Sequence, residues 1–156
     1  MKKGVKILAI SLCMFLLVGC SSKEEKIVTC TLTNDQSASG YKLDSTYKIY
    51  ATDDSVTSVE TEEVVTSDNE QIRNYFEKTL NDSYQTADKT YGGYTYNVKN
   101  EGNKVTSKVT IDYTKMNLDK FVKDNSSMKA YVNKDNKITL KGAKNIYESL
   151  GATCEE

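Results

Sequence analysis

The chain has 156 residues, with 21 basic and 22 acidic side chains and a formal net charge of −1. It has no histidine, tryptophan or proline, but 11 tyrosines and 4 cysteines. Without histidine, Ser-His and Cys-His nucleophile pairs are excluded, and so are the usual zinc hydrolases, because the commonest general base and metal ligand is missing.

The N-terminus carries Lys2, Lys3 and Lys6, then the apolar stretch Ile7 to Val18, then Leu17-Val18-Gly19-Cys20. A basic start, an apolar run and small residues at a cut site describe an export signal. A cysteine at the first mature position makes it a bacterial lipoprotein signal. The pattern predicts a diacylglyceryl group on the Cys20 thiol and cleavage between Gly19 and Cys20. The apolar run covers 12 residues, whereas a spanning helix needs about 20. Cys13 lies inside the run and leaves with it. The expected location is the outer, extracytoplasmic face of the cell membrane. Each buried methylene contributes about 0.8 kcal/mol, so two acyl chains hold firmly where one binds reversibly. Removing residues 1–19 leaves 137 residues with 18 basic and 22 acidic side chains, a net of −4. That length suits one domain. The mild acidity argues against nucleic acid and against electrostatic binding to anionic lipid. Abundant Lys, Asn, Thr, Asp and Tyr, with their AT-rich codons, point to a low-GC bacterium.

Residues 20–26 read as a polar tether, and residues 27–156 as a single α+β domain. Ile27 to Thr33 is a first strand, and Asn34 to Gly40 a loop rich in Ser, Asn and Gly. Residues 41–51 alternate, with Tyr41, Leu43, Tyr47, Ile49 and Ala51 on one face and Lys42, Asp44, Thr46 and Lys48 on the other. That period of two marks a half-buried strand. Thr52-Asp53-Asp54-Ser55 is a turn, and Val56, Val59, Val64 and Val65 mark the returning strand of a hairpin. Ser67-Asp68-Asn69-Glu70 has capping-box spacing, and Ile72, Tyr75, Phe76 and Leu80 recur at helical intervals, which predicts a helix over 68–84. Gly92-Gly93 breaks the chain. Tyr94, Tyr96 and Val98 form one face of a strand, Asn100-Glu101-Gly102-Asn103 a turn, and Val105, Val109, Ile111 and Tyr113 the returning face. Leu118, Phe121 and Val122 fit a short helix capped by Asn117, and Lys129 to Val132 a short extended piece. Leu140, Ala143, Ile146, Tyr147 and Leu150 mark a last helix over 139–150, with Thr139 capping it and Gly151 stopping it. Ala152 to Cys154 then return towards the sheet. The expected fold is an antiparallel β-sheet built from hairpins with two main helices packed on one face.

Once Cys13 has left and Cys20 is acylated, Cys30 and Cys154 remain. Two thiols in an exported chain invite a disulfide. The bond would close almost the whole domain, and redox-active Cys-x-x-Cys spacing is absent.

Other constellations have simpler explanations. Asp53 and Asp54, with Glu60, Glu62 and Glu63, could pair for acid/base work, yet adjacent acids in a turn and alternating acids on a strand are ordinary turn formers and a wet strand face. Asn133-Lys134-Asp135-Asn136 lacks the ordered oxygen spacing and closing glutamate of a calcium loop. Ser45-Thr46-Tyr47-Lys48 and Ser126-Ser127-Met128-Lys129 match Ser-x-x-Lys without the partner motifs of penicillin-recognising enzymes. Tyr91, Tyr94 and Tyr96 flank Gly92-Gly93 and are the candidate ligand-binding residues, since tyrosines offer flat rings and hydroxyls to sugars or peptides. Their strand spacing also explains Tyr94 and Tyr96 as core residues. No catalytic set, metal site or cofactor is expected.

Val109-Thr110-Ile111-Asp112-Tyr113-Thr114-Lys115-Met116-Asn117-Leu118-Asp119 is a valine-rich strand running into a short helix. With Ile138-Thr139-Leu140, Gly151, the hairpin around Asp53-Asp54 and the lipobox, it resembles the YehR-like lipoproteins, a family of unknown function. The resemblance covers roughly the whole mature domain. It implies a compact α+β fold with an antiparallel sheet and brings no active site. Pairing of Cys30 with Cys154 rests on this sequence alone. The functional expectation is a non-enzymatic binding or accessory module of the cell envelope. Its partner would be an envelope protein or a small ligand, with no role for nucleic acid. A glycan or small-ligand binder using the tyrosines is the alternative, and a carboxylate-based hydrolase stands behind it.

Overall fold

The structure is a computed structural model and describes residues 24–156. Strands β1 (Glu25–Gln36), β2 (Tyr41–Thr52) and β3 (Ser55–Thr66) form a meander. Helix α1 (Glu70–Tyr91) follows, then the hairpin β4 (Tyr94–Glu101) and β5 (Lys104–Asp112). Helices α2 (Leu118–Asp124) and α3 (Leu140–Ser149) precede the short β6 (Thr153–Glu155). Among the described residues the strands form one antiparallel sheet in the order β4-β5-β3-β2-β1-β6. The sheet is open, not a barrel, and the fold is α+β.

Alternation explains the strands. Val28 and Cys30 of β1, Tyr47, Ile49 and Ala51 of β2, and Val59 and Val65 of β3 are buried on one face. Val56 is buried as well, although its spacing from Val59 is odd. The register shifts between Tyr50 and Ala51, so that Tyr50 faces Ser58 while Ala51 faces Val56. A bulge at Thr57 flips the parity of β3 and puts both valines in the core. The Thr57 hydroxyl donates to the Tyr50 carbonyl at 3.2 Å.

Both main helices cover this face. Helix α1 lies over β4 and β5, and α3 over β1, β2 and β3. Ile138, Leu140 and Ala143 join the strand core. The start of α3 is clamped to the β2–β3 turn: Val56 N donates to Ile138 O at 2.9 Å, and Leu140 N to Asp54 O at 3.0 Å.

Several boundaries differ from the sequence expectation. Strand β1 begins at Glu25 and continues to Gln36, because Asn34, Asp35 and Gln36 pair with Leu43, Lys42 and Tyr41. Only Ser37–Ser39 remain as a 3-10 turn, closed by Gly40 at φ 85°. Helix α1 runs about two turns beyond residue 84, since Ala87 and Tyr91 continue its half-buried stripe before Gly92 ends it. Asn69, not Ser67, is the N-cap, accepting from Gln71 N at 2.8 Å. Ser67 closes no capping box; its hydroxyl accepts from Asn69 N at 3.1 Å and donates to Gly40 O at 2.6 Å. Residues 126–131 form a 3-10 segment instead of an extended piece, and Val132 bridges Ile138 after it.

Candidate functional site

Cys20 lies outside the described residues. Cys30 and Cys154 face each other in register on β1 and β6 and are bonded as a disulfide, 124 residues apart in sequence. Cys30 is completely buried. Neighbouring antiparallel strands bring facing side chains together, and Ala152 returning from α3 delivers the second sulfur.

Tyr91, Tyr94 and Tyr96 are each half-buried on the helix side of the molecule. Tyr91, at the end of α1, meets Phe121 of α2 edge-on at 5.2 Å, with Lys120 Nζ 5.1 Å from its ring centre. Tyr94 and Tyr96 stand opposite Ile111 and Val109 of β5. Tyr96 lies 5.7 Å from the ring of Tyr84, and burial pushes the Tyr94 phenol above its ordinary range. The three rings are engaged in packing α1 and α2 onto the sheet. Tyrosine clustering is wider than sequence reading found, since Tyr47 of β2 stacks on Tyr147 of α3 at 4.2 Å. The recurrence of tyrosine at core positions of β2, α1, β4 and α3 was the available signal.

The acidic groups divide between the two faces. Glu60 and Glu62 point to the uncovered face of β3, where Glu60 accepts from the Tyr50 hydroxyl at 2.9 Å and Glu62 pairs with Lys108 at 3.4 Å. Two cross-strand rows, Lys48–Glu60–Thr110 and Thr46–Glu62–Lys108, line a shallow concavity there of about 390 Å³. Asp53 and Asp54 sit apart in the β2–β3 turn, where Asp53 takes φ 56°. Asn133 accepts from Asp135 N and Lys137 N and makes its segment a turn. Ser45 and Lys48 lie on opposite faces of β2. Among the described residues no group of three or more acids or cysteines is placed to hold a metal ion.

Glu63 is the exception among the acids. It projects under the helices, where Tyr84 donates to its Oε2 at 2.8 Å. Ser45 and Ser107 flank it across β2 and β5. The alternation β3 shares with its neighbours puts this row on the covered side; sequence reading named Glu63 beside Glu60 and Glu62 as a candidate acid and gave it no face. Burial is the largest influence on the Tyr84 phenol, which is raised well above its ordinary range, with Glu63 next.

These features define an α+β domain whose six-stranded antiparallel sheet carries its helices on one face and leaves the other open. No protein-family model and no curated protein matches the chain. Two solved structures resemble it. One is a protein from Streptococcus pneumoniae TIGR4, with 13% identity and a TM-score of 0.51 over 99% of this chain and 98% of that one. The other is the E. coli YehR protein, with 16% identity and a TM-score of 0.52 over 85% of this chain and 92% of that one. At such identities the likeness is one of fold. Among the described residues no helix is long and apolar enough to cross a membrane.

Proposed function

We propose that this chain is a YehR-like bacterial lipoprotein, tethered through a diacylglyceryl group on Cys20 to the outer face of the cell membrane. There it acts as a non-enzymatic binding or accessory module of the envelope. The observation that supports the reading best is the Cys30–Cys154 bond. Structural disulfides persist in oxidising compartments and are rare in reducing cytosol, so the bond agrees with export by the Leu17-Val18-Gly19-Cys20 signal. Cys20→Ala is expected to abolish fatty-acid labelling and to release the protein from membranes or leave it uncut. Labelling unchanged in that variant would refute the anchor.

A second reading is a binder of small polar ligands or glycans. It is favoured by the concavity on the open sheet face, where carboxylates, ammonium groups and hydroxyls alternate. Lys108→Ala with Glu62→Ala is expected to abolish binding to any glycan that the wild type retains on an array. Retention by the double variant would move the site elsewhere.

A further inference from the structure

Aromatic side chains are left uncovered at the end of the sheet away from residue 24. Tyr75 of α1 is 65% exposed, the most of any large hydrophobic side chain among the described residues. It is not an isolated surface ring. Phe76 meets it edge-on at 5.6 Å, and Tyr41 meets Phe76 edge-on at 5.0 Å. With Ile72 and Ser39 they line a hollow of about 310 Å³, whose remaining walls are the Asn69 and Gln71 amides. None of these side chains is charged. A second hollow of about 440 Å³ continues from Tyr41 and Asn69 past Ser37 and Gly40 to Asp68 and Asn103. The two make one groove across the tip of the domain.

The walls are fixed from below. Gly40 leans on Ile72, so that a Cβ added to it would stand 3.0 Å from the Ile72 Cδ1. The Ser67 hydroxyl holds the Gly40 carbonyl at 2.6 Å. Asn69 spends its Oδ1 on Gln71 N at 2.8 Å and keeps its amide N–H donors. Asp68 and Glu70 flank Asn69 and are exposed. Neither is in an ion pair among the described residues. Lys42, which lines the second hollow, is paired with Asp44 at 2.9 Å. A strand rises about 3.3 Å per residue, so Tyr41 lies roughly 36 Å along β2 from Thr52. At that far end Asp53 N donates to Glu24 O at 3.0 Å, so the chain enters opposite the groove.

We propose that this groove binds a proline-rich extended segment of an envelope protein, with a basic residue next to the prolines. A polyproline II segment has no internal hydrogen bonds and leaves its carbonyls free, and aromatic-lined grooves receive its rings. Tyr75, Phe76 and Tyr41 supply the aromatic surface. The Asn69 and Gln71 amides and the tyrosine hydroxyls supply donors for the carbonyls. Such a segment is stiff before it binds, so an open groove orders it at little entropic cost. Asp68 and Glu70 complement a Lys or Arg beside the prolines. The inference rests on the reading of the chain as an envelope binding module and names the partner. In the anchored protein the groove faces away from the membrane. It makes no use of the concavity on the open sheet face.

The test uses the purified full chain in detergent micelles and follows the tyrosine rings by NMR. The probes are an octaproline peptide ending in two arginines, the same peptide ending in two glutamates, a glycine-serine octapeptide ending in two arginines, and a neutral chitin oligosaccharide. Saturable shifts at Tyr75 and Tyr41 are expected with the first probe. Binding should be about threefold weaker or more with the glutamate peptide, and about tenfold weaker or more with the glycine-serine peptide or in Tyr75→Ala. Equal binding of the glycine-serine peptide would reduce the groove to a charge effect, and equal binding of the glutamate peptide would remove the basic residue. Saturation by the sugar alone would make this a glycan site, and no saturable response would leave the rings a structural role only. Each of these outcomes overturns the proposal. Should Tyr75→Ala fail to fold, Gln71→Ala at an exposed position decides, since undiminished binding in that variant refutes the groove. Membrane release of Cys20→Ala reports on the anchor alone, so failure of the groove and failure of the anchor are told apart.

Discussion

Gly142 shows how a single missing Cβ holds two elements together. In a helix, alanine is ordinarily favoured over glycine by about 1 kcal/mol. A Cβ on Gly142 would come 2.3 Å from the Tyr131 carbonyl oxygen and 2.9 Å from its Cα. Gly142→Ala is therefore expected to lower the urea midpoint despite the better helix former, and an unchanged or raised midpoint would show that the 126–131 segment gives way. Tyr84→Phe keeps the ring but removes the donor to Glu63, and is expected to destabilise by about 1–3 kcal/mol, read from the same midpoint. Asp112 governs part of the acid response. A hydrogen bond from Lys115, then one from the Thr114 hydroxyl, push its carboxyl from an ordinary 3.8 down to about 2. A carboxyl lowered by folding contributes stability above its unfolded value and loses it as pH falls towards the folded one. The denaturation midpoint should thus drop from about pH 4 to about pH 2, and Asp112→Asn should flatten that limb.

At the scale of elements, the start of α1 separates two chemistries that look alike in sequence. Asn69 satisfies a free N–H of the first turn, while Ser67 ties the helix entry to the β1–β2 turn through Gly40. Asn69→Ala is expected to cost about 1 kcal/mol, and Glu70→Ala to cost far less, because Glu70 closes no capping box. A larger loss for Glu70→Ala in thermal melts would restore the box. Helix and strand periods in residues 41–51 and 72–80 were legible because each element buries one face, and apolar residues repeat where the face repeats. The bulge at Thr57 was not. One inserted residue costs nothing in composition and shows only when β2 is laid beside β3.

For the whole molecule, the disulfide joins the edge strand β6 to β1 and closes nearly the full domain. On the chain-entropy model a loop of about 100 residues contributes roughly 4.7 kcal/mol by restricting the unfolded chain. The Cys30→Ala, Cys154→Ala double variant is expected to lose several kcal/mol of that order in urea, and titration of the unreduced protein to find neither thiol free. Equal midpoints for the double variant and wild type would mean that the sheet closes as well without the bond. The pairing of β3 with β5 is the other global feature, since α1 and β4 intervene between them. No turn in the sequence announces it; β5 pairs there because its apolar face completes the floor that α1 covers.

The sequence by itself determined the α+β class, most strands and helices, the side of the sheet the helices cover, and the cysteine pair. Each follows from local periodicity, from end signals such as Thr139 and Gly151, or from counting. Only the tertiary structure decided the order β4-β5-β3-β2-β1-β6, the packing of Tyr91, Tyr94 and Tyr96 against α1 and α2, and the row of Ser45, Glu63 and Ser107. The physical reason is distance along the chain. Residues 45, 63 and 107 share a row because three strands share a register, and register arises from pairing between strands.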